Sequence, residues 1–460
     1  MKLTHYLLSL TVGGMGLICS SLTFANTAGF YSKQQDTLND LISIALNNDA
    51  NRQQIFAQSQ SIREMGLASS SLKDPKLKFG VGGLPADSFA FDQDPMTNIS
   101  IGLMQEFERG STLSLKKKKF DQQADSVAFQ IKVRELDVIN NMTKLWLELG
   151  FQQKAHQILI ENKKLMREML RYIKTSYSLG QSEVHDLLNA EIQMSKLDEK
   201  LQANKQMQQR TSSQLSEWLG SQWLSEQADL GATPRLTWSK LDQFLASTQG
   251  DRFYSLLSTH PLSEIAQLQI EANTTQVSIA EEAYTPQFAV EVMYGHRQSD
   301  GMNGQPASDL MSAYLTMDIP LFTDKRQDKS YSAAQYQVVE AKSNKAVILS
   351  RMNAQVNALL VDKNNLEQRL QRYNNSLLPQ VKAKTKAVEL GYQNNTAQFD
   401  EVLNASSDEL TMEMEKWRLV TDLNKTKSNL AFLLDGFEYS VVKPSISSLS
   451  NGSRNSQDLF

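Results

Sequence analysis

The sequence is poor in the residues that most reactions and metal sites need. Its single cysteine among 460 residues is Cys19, in an N-terminal stretch that we expect to be removed. The remaining chain can form neither a disulfide nor a thiolate metal site. It shows no Gly-rich phosphate loop, no spaced metal ligands and no nucleophile motif, which indicates a protein without enzymatic activity or cofactor. A formal net charge of −4 gives no reason to expect a nucleic-acid partner.

The first 25 residues are typical of a secretory signal peptide. Lys2 precedes an apolar run from Leu7 to Ile18, and the small residue Ala25 ends the segment. We predict cleavage after Ala25. Lipid attachment at Cys19 is the alternative, although Ile18 stands where a lipoprotein signal requires a small residue. No run of 18 apolar residues follows, so the sequence predicts no membrane-spanning helix.

One segment occurs twice and organises the rest of the chain. Tyr177–Ala190 begins Tyr-Ser-Leu-Gly and ends Leu-Leu-Asn-Ala, and Tyr392–Ala405 repeats the pattern 215 residues later as Tyr-Gln-Asn-Asn and Val-Leu-Asn-Ala. Stretches that favour long helices flank both copies. The repeat therefore predicts two versions of one helical hairpin, with this segment at each tip. At the first tip, Gly180 supplies backbone freedom and Ser182 is the predicted N-cap of the return helix.

Long helices are predicted on both sides of each tip. The two incoming helices are each about 100 Å long at 1.5 Å per residue. The first of them carries a coiled-coil seam at Val138, Met142, Leu145 and Leu149. Each shorter return helix, stacked on the helix that precedes a strand pair, matches one incoming helix in length. The predicted helices run from about Leu38 to Leu72, Ser111 to Ser176, Ser182 to Gly220, His260 to Ala283, Asp324 to Leu390, and from the second tip to Gly436.

Two pairs of short strands precede the long helices. Apolar and polar residues alternate in each strand with a period of two, which is typical of half-exposed strands. Four strands cannot close a barrel, and an open sheet edge cannot sit in lipid. Several copies must therefore pool their strands, and three copies would give a 12-stranded outer-membrane barrel. The alternating apolar residues are Leu77, Phe79 and Val81; Ile99, Ile101 and Leu103; Phe288, Val290, Val292 and Tyr294; and Ala313, Leu315, Met317 and Ile319.

The predicted fold is mainly α with a β-barrel part: a long α-helical coiled-coil barrel with four strands per protomer. We divide the chain into a signal peptide (1–25), a first structural repeat (26–257), a second structural repeat (258–436) and a polar tail (437–460) that is expected to be disordered. The first repeat contains a strand hairpin (76–107), a helical hairpin (111–220) and an irregular connection (221–257). The second contains a strand hairpin (287–322) and a helical hairpin (324–436).

Short motifs in a fixed order carry a resemblance to a known family. They are Asn48-Asp49 and His260-Pro261 at helix starts, Asp74-Pro75 and Thr285-Pro286 at strand starts, Ile319-Pro320-Leu321-Phe322, and the two tips. With them the chain from Leu38 to Gly436 resembles the outer-membrane efflux (TolC-like) family. The resemblance implies a homotrimer whose outer-membrane barrel continues as a helical tunnel across the periplasm. It also implies that the tips dock onto the periplasmic adaptor protein of an inner-membrane pump, and that substrates pass through without chemistry.

A second group of motifs resembles the branch of this family that serves heavy-metal pumps. These motifs are Gly82-Gly83-Leu84-Pro85, Met96-Thr97 and the run from Gln105 to Gly110. The branch often has a proline where this chain has Glu108. The resemblance implies metal cations as cargo, and a duct for drugs or secreted proteins is the alternative. An alternative of another class is a periplasmic coiled-coil adaptor or scaffold.

The family resemblance implies an acidic ring at the periplasmic entrance. The matching positions are Glu401 and Asn404 in the second repeat and Asp186 and Asn189 in the first, and Asp400 is a further candidate. A threefold ring of carboxylates in a narrow opening would attract cations. The alternative is that these acids only stabilise the positive end of a helix macrodipole.

The turn residues of the two tips are the predicted adaptor-docking site. They are Leu179, Gly180, Gln181, Asn394, Asn395 and Thr396. The alternative is that a tight helical turn simply needs them. We predict no metal ligands, because the histidines and methionines form no spaced cluster. The lysine run from Lys116 to Lys119 is interpreted as a solvated collar near lipid headgroups.

Overall fold

The computed structural model describes residues 37–220, 223, 231–247, 252–301, 304–394, 396–439 and 444. The predicted signal peptide with Cys19 lies outside these residues, as do Asn395 and most of the predicted tail. Within the described part of the chain, helices dominate, and one four-stranded sheet stands at the end of the helical body. No helix found there is long and apolar enough to cross a membrane.

The first predicted helix is in fact two. Helix α1 (37–48) and helix α2 (Ala50–Ser69) are separated by Asp49, whose carboxylate accepts the Asn51 N–H at 3.1 Å and caps α2. The Arg52 guanidinium donates to the Leu46 carbonyl at the end of α1 and pairs with Glu135 at 2.7 Å. These contacts satisfy backbone groups that a helix break leaves free. The prediction of one continuous helix was therefore wrong at Asp49.

Four antiparallel strands form the sheet in chain order. They are β1 (Lys76–Gly82), β2 (Asn98–Glu106), β3 (Phe288–His296) and β4 (Leu310–Met317). Strands β2 and β3 belong to different repeats, so the sheet joins the two halves of the chain. Predicted alternation and observed strands agree, except that Ile319 lies beyond the end of β4.

The first long hairpin consists of α3 (Thr112–Ser178) and α4 (Val184–Leu219). Helix α3 has 67 residues and is therefore about 100 Å long. Two short helices, α5 (Ser239–Ser247) and α6 (Arg252–Ser258), form where the sequence predicted an irregular connection, and α7 (Pro261–Glu281) follows them. Helix α3 packs against α2 and α7 as well as α4, so it runs through the middle of the protomer.

The second incoming helix is interrupted, which the sequence interpretation missed. Helix α8 (Gln327–Arg372) passes through a π-helical turn at Tyr373–Leu377 into α9 (Leu378–Gln393). Pro379 lies at the start of α9, where it has no N–H to donate and its ring would clash with the preceding turn of a regular helix. The wider π turn relieves that clash. Helix α10 (Phe399–Leu433) returns from the second tip.

Two apolar cores hold the helices together. The upper core surrounds fully buried Trp146 and includes Leu46 of α1, Val356 of α8 and Leu430 of α10. The lower core joins both hairpins near the tips and includes Ile173, Leu197, Leu403 and Leu410. Val138, Met142 and Leu149 of the predicted seam are buried, and Leu145 is half-buried. The seam thus faces the bundle as its spacing predicts.

His260 caps α7 and holds it against α10. Its Nδ1 accepts the Leu262 N–H at 3.2 Å, and its Nε2 lies 3.1 Å from the carbonyl oxygen of Phe432. One ring nitrogen accepts and the other donates, as in the neutral imidazole. Burial lowers the pKa of His260 below its usual value, while the Phe432 carbonyl and Asp435 act in the opposite direction.

This arrangement predicts a loss of stability in mild acid. The unfolded chain takes up a proton below a pKa of about 6.5, whereas the folded His260 resists protonation until a lower pH. The free energy of unfolding should therefore fall as the pH drops through this window. His260→Asn keeps a capping side chain and should flatten the dependence. Thermal unfolding across a pH series measures this, and equal slopes in wild type and His260→Asn would contradict it.

Candidate functional site

One face of the sheet is apolar and exposed. Phe79, Ile101, Tyr294 and Met311 lie directly opposite one another across all four strands, with side chains 74, 45, 47 and 81% exposed. Neighbouring rows on the same face carry Leu77, Leu103 and Val292, and Val290 with Leu315. A contiguous exposed apolar surface of this kind marks contact with a membrane or another protein.

The opposite face is mostly polar or small, and Met104, Met293 and Leu310 are its apolar members. Lys78, Gly102, Met293 and Ser312 form one row across it. Ion pairs cross the strands between Lys78 and Glu291 and between Lys76 and Glu106. Within the part of the chain that the structure describes, the outer edges of β1 and β4 have no partner strand. The sheet therefore has one apolar face, one polar face and two edges free to pair.

The first tip ends α3 in a Schellman motif. Gly180 has a φ of 71°, its N–H donates to the Tyr177 carbonyl at 3.0 Å, and the Gln181 N–H donates to the Ser176 carbonyl at 2.9 Å. This left-handed position favours glycine. Leu179 precedes it with a side chain 67% exposed. All three predicted docking residues of this tip therefore lie at the turn itself.

Glu183, not Ser182, is the N-cap of α4. Its side chain accepts from the backbone of Asp186, and the Asp186 carboxylate accepts the Glu183 N–H at 3.4 Å. This reciprocal pair is a capping box built from two acids, which also suits the positive end of the helix dipole. His185 lies beside both carboxylates, 2.9 Å from Glu183 and 3.3 Å from Asp186. Asp186 thus has a structural role in the protomer in addition to its predicted place at the entrance.

The second tip turns without a described glycine at its apex. Asn394 ends α9, and the Thr396 N–H and hydroxyl both donate to the Gly391 carbonyl, at 2.8 and 3.0 Å. A Cβ on Gly391 would lie 3.0 Å from the Ala397 Cβ, so glycine allows the chain to fold back closely here. Asn395, one of the predicted docking residues, lies outside the described residues.

Side-chain contacts between described residues join the tips to each other. The Asn189 amide donates to the Asp400 carboxylate at 3.1 Å. Tyr392 packs between Tyr172 and Phe399, with ring centroids 6.0 and 5.8 Å away. Burial, together with the nearby Tyr172 and Asp186, raises the pKa of the Tyr392 phenol. The predicted residues Asn189 and Asp400 are thus brought together across the two repeats.

Glu401 and Asn404 are exposed on α10, one turn apart. Among the described residues the Glu401 carboxylate has no ion-pair or hydrogen-bond partner, in contrast to Asp400 and Asp186. Its neighbours on the other face of the helix, Val402 and Leu403, are buried. Glu401 and Asn404 are therefore free to face a neighbouring copy or an opening.

Sequence interpretation missed several residues that shape this end of the molecule. Tyr392, Phe399 and Tyr172 were not singled out, although their aromatic character at a turn was a usable signal. Tyr373 in the π turn donates to Glu415 of α10 at 2.6 Å and ties the interrupted helix to its partner. Within the described ranges, no group of three or more histidine or acidic side chains could hold a metal ion.

The long paired hairpins and the four-stranded sheet match the fold of several solved outer-membrane channels. CusC, whose structures concern folding and transmembrane channel formation, superposes with a TM-score of 0.70 at 15% identity, covering 87% of this chain and 92% of that one. The CmeC outer membrane channel of Campylobacter jejuni gives 0.68 at 12% identity, covering 96% of each chain. The outer membrane protein VceC of Vibrio cholerae gives 0.65 at 15% identity, covering 88% and 97%.

These likenesses are structural. No protein-family profile matches the sequence, and no curated protein matches it either. At identities of 12 to 15% the superpositions show a shared fold over most of each chain. The predicted fold of long helices with four strands per protomer is confirmed.

Proposed function

We propose that the chain is the outer-membrane duct of a tripartite efflux pump. Three copies pool their strands into a 12-stranded barrel, and their hairpins continue it as a tunnel across the periplasm. The observation that carries the proposal is the sheet. One face is apolar and exposed across all four strands, the other is mostly polar or small, and no described strand pairs with either edge. In such a barrel the apolar face contacts lipid, the other face lines the water-filled interior, and each edge pairs with a strand of a neighbouring copy.

A periplasmic scaffold or adaptor is the rival of another class. It would leave the apolar face in water, which is unfavourable for a surface of this size. It also gives no role to the two free edges, which would invite aggregation unless another strand pairs with them. The sheet therefore favours the duct.

The tips are the proposed docking site for a periplasmic adaptor of an inner-membrane pump. Leu179 stands exposed at the first turn. Val184, the first residue of α4, and Leu188, about one turn further on, are 53 and 52% exposed. Exposed apolar residues around a Schellman turn offer a partner both packing and a rigid backbone. Asn394 and Thr396 occupy the corresponding place at the second tip.

The duct is tested by assembly and conductance. The purified mature protein should migrate as a trimer that dissociates on heating, fractionate with outer membranes, and conduct ions in a planar bilayer. A detergent-purified protein that stays monomeric and shows no conductance would contradict the proposal.

Neutralising Glu401 is expected to reduce the preference of the channel for cations. Three exposed and unpaired carboxylates around a narrow opening create a negative potential that concentrates cations. In Glu401→Gln the cation-to-anion permeability ratio should fall several-fold, and the difference should shrink at high salt because of screening. Reversal potentials in a salt gradient measure the ratio.

The matched control changes the same charge far from the tips. Glu340 is exposed on α8, roughly 80 Å from the second tip along the helices. Glu340→Gln should leave the permeability ratio near the wild-type value. Equal permeability ratios in the wild type, Glu401→Gln and Glu340→Gln would show that Glu401 does not line the entrance.

Heavy-metal cations are the proposed cargo. The support is the resemblance of the segments Gly82–Pro85, Met96-Thr97 and Gln105–Gly110 to the metal branch, together with a cation-attracting entrance. Drugs and secreted proteins are the competing cargoes. A deletion strain should gain sensitivity to copper, cobalt or zinc; sensitivity to antibiotics alone would assign the duct to drug efflux.

A further inference from the structure

A groove opens between the two helical hairpins just inside the tips. Helices α3 and α9 each pack against α10, and the space left between α3 and α9 has a volume of about 390 Å³. Sites for small organic molecules usually measure about 300 to 1,000 Å³, so the groove is large enough for one. We call it the tip groove, and its lining includes Glu168 and Tyr172 of α3, Glu389 and Tyr392 of α9, and Phe399 and Val402 of α10.

Three aromatic rings line the tip groove. The ring centroids of Tyr172 and Tyr392 are 6.0 Å apart with the rings inclined at 75°, and the Phe399 ring lies 5.8 Å from Tyr392. Phe399 is buried and forms part of the floor, Tyr392 is half-buried, and Tyr172 is exposed at the rim. Rings inclined to each other can present their negative faces to one cation from two sides, as in the aromatic cages that bind quaternary ammonium groups.

Two carboxylates without a partner stand beside these rings. Glu168 lies one turn from Tyr172 on α3, and Glu389 lies one turn from Tyr392 on α9, so each acid shares a helix face with a ring. Within the described part of the chain neither carboxylate makes an ion pair or a hydrogen bond, and no lysine or arginine is among the residues that line the tip groove. The groove continues along α3 past Leu165, where three further glutamates face two lysines. The excess of carboxylates gives the tip groove a negative potential.

We propose that the tip groove binds an organic cation with an apolar body. The ammonium group lies between the carboxylates of Glu168 and Glu389 and against the face of the Tyr172 ring. The apolar body covers Leu165 and Val402 and displaces water from them. A hydrated metal ion gains nothing from these apolar walls, and no group of three histidine or acidic side chains in the described ranges could hold one. The occupant contacts helices of both repeats, so its binding also holds the two hairpins together.

Calorimetric titration of the purified full-length protein in a non-ionic detergent tests the site, with benzyltriethylammonium as the probe. The neutral N,N-diethylbenzamide has a similar size but no charge, and it should bind about ten-fold more weakly. The double variant Glu168→Gln/Glu389→Gln should bind the cation about ten-fold more weakly than wild type and should no longer prefer it to the neutral compound. Tyr172→Leu keeps an apolar side chain and removes only the ring, so it should weaken binding of the cation about three-fold.

The matched control removes two carboxylates elsewhere. Glu199 of α4 and Glu340 of α8 are exposed, make no ion pair among the described residues, and do not line the groove, so Glu199→Gln/Glu340→Gln should bind the cation as wild type does. Equal binding of the charged and neutral compounds, no binding of either, or unchanged binding in both Glu168→Gln/Glu389→Gln and Tyr172→Leu overturns the proposal. The readout is binding and not conductance, so the result is independent of whether the chain forms a pore.

Discussion

Replacing Phe79 with arginine is expected to prevent assembly of the channel in the outer membrane. Phe79 is the middle residue of β1, is 74% exposed, and belongs to the apolar row that crosses all four strands. If this face contacts lipid, each arginine near the bilayer centre costs about 2 to 4 kcal/mol, and the proposed trimer carries three. The heat-modifiable trimer in the outer-membrane fraction should fall to a small part of the wild-type amount.

A substitution on the opposite face provides the control. Thr316 of β4 lies opposite Ala289, which lies opposite Glu106, so it belongs to the polar face. Thr316→Arg adds the same side chain and should assemble, with at most a change in conductance, because that face is proposed to line water. If both variants assembled equally well, the apolar face would not be the lipid face.

Elements governed by short-range patterns were predictable from the sequence. Side chains of a strand alternate between two faces, so Leu77, Phe79 and Val81 predicted both a strand and its exposed side. The seven-residue spacing of Val138 and Leu145 likewise indicated a helix that faces a partner. The repeat of the two tips could be found by comparing the sequence with itself.

Features that depend on contacts between distant residues were not predictable in the same way. Asp49 divides the first helix because Arg52 and Glu135 stabilise the break, and Glu135 lies on another helix. The N-cap is Glu183 and not the predicted Ser182, because Asp186 completes a capping box with Glu183. Pro379, by contrast, is a local signal for an interrupted helix, and the sequence interpretation overlooked it.

In the candidate site, too, local features were predictable from the sequence and contacts between distant residues were not. The turn residues Leu179, Gly180 and Gln181 follow from local backbone geometry, since a left-handed position favours glycine. The contact between Asn189 and Asp400 requires the relative position of two hairpins, which no spacing within one hairpin specifies. Whether Glu401 faces an axis depends on neighbouring copies, and it remains a prediction that permeability measurements must test.

Truncating Trp146 to alanine is expected to destabilise the helical body by about 3 to 5 kcal/mol. The side chain is fully buried in the upper core, in contact range of elements from both repeats, so its loss leaves a cavity that several helices cannot fill at once. The indole Nε1 is buried and has no hydrogen-bond partner among the described residues.

That unpaired N–H makes the phenylalanine variant informative. Trp146→Phe keeps a ring in the core and removes a polar group whose burial costs about 1 to 3 kcal/mol, so it should lose much less stability than Trp146→Ala. Tyr336→Ala, at a side chain 74% exposed, serves as the surface control and should change the unfolding temperature little. Thermal unfolding followed by far-ultraviolet circular dichroism ranks the variants. A Trp146→Ala protein as stable as Tyr336→Ala would mean that the upper core does not hold the two repeats together.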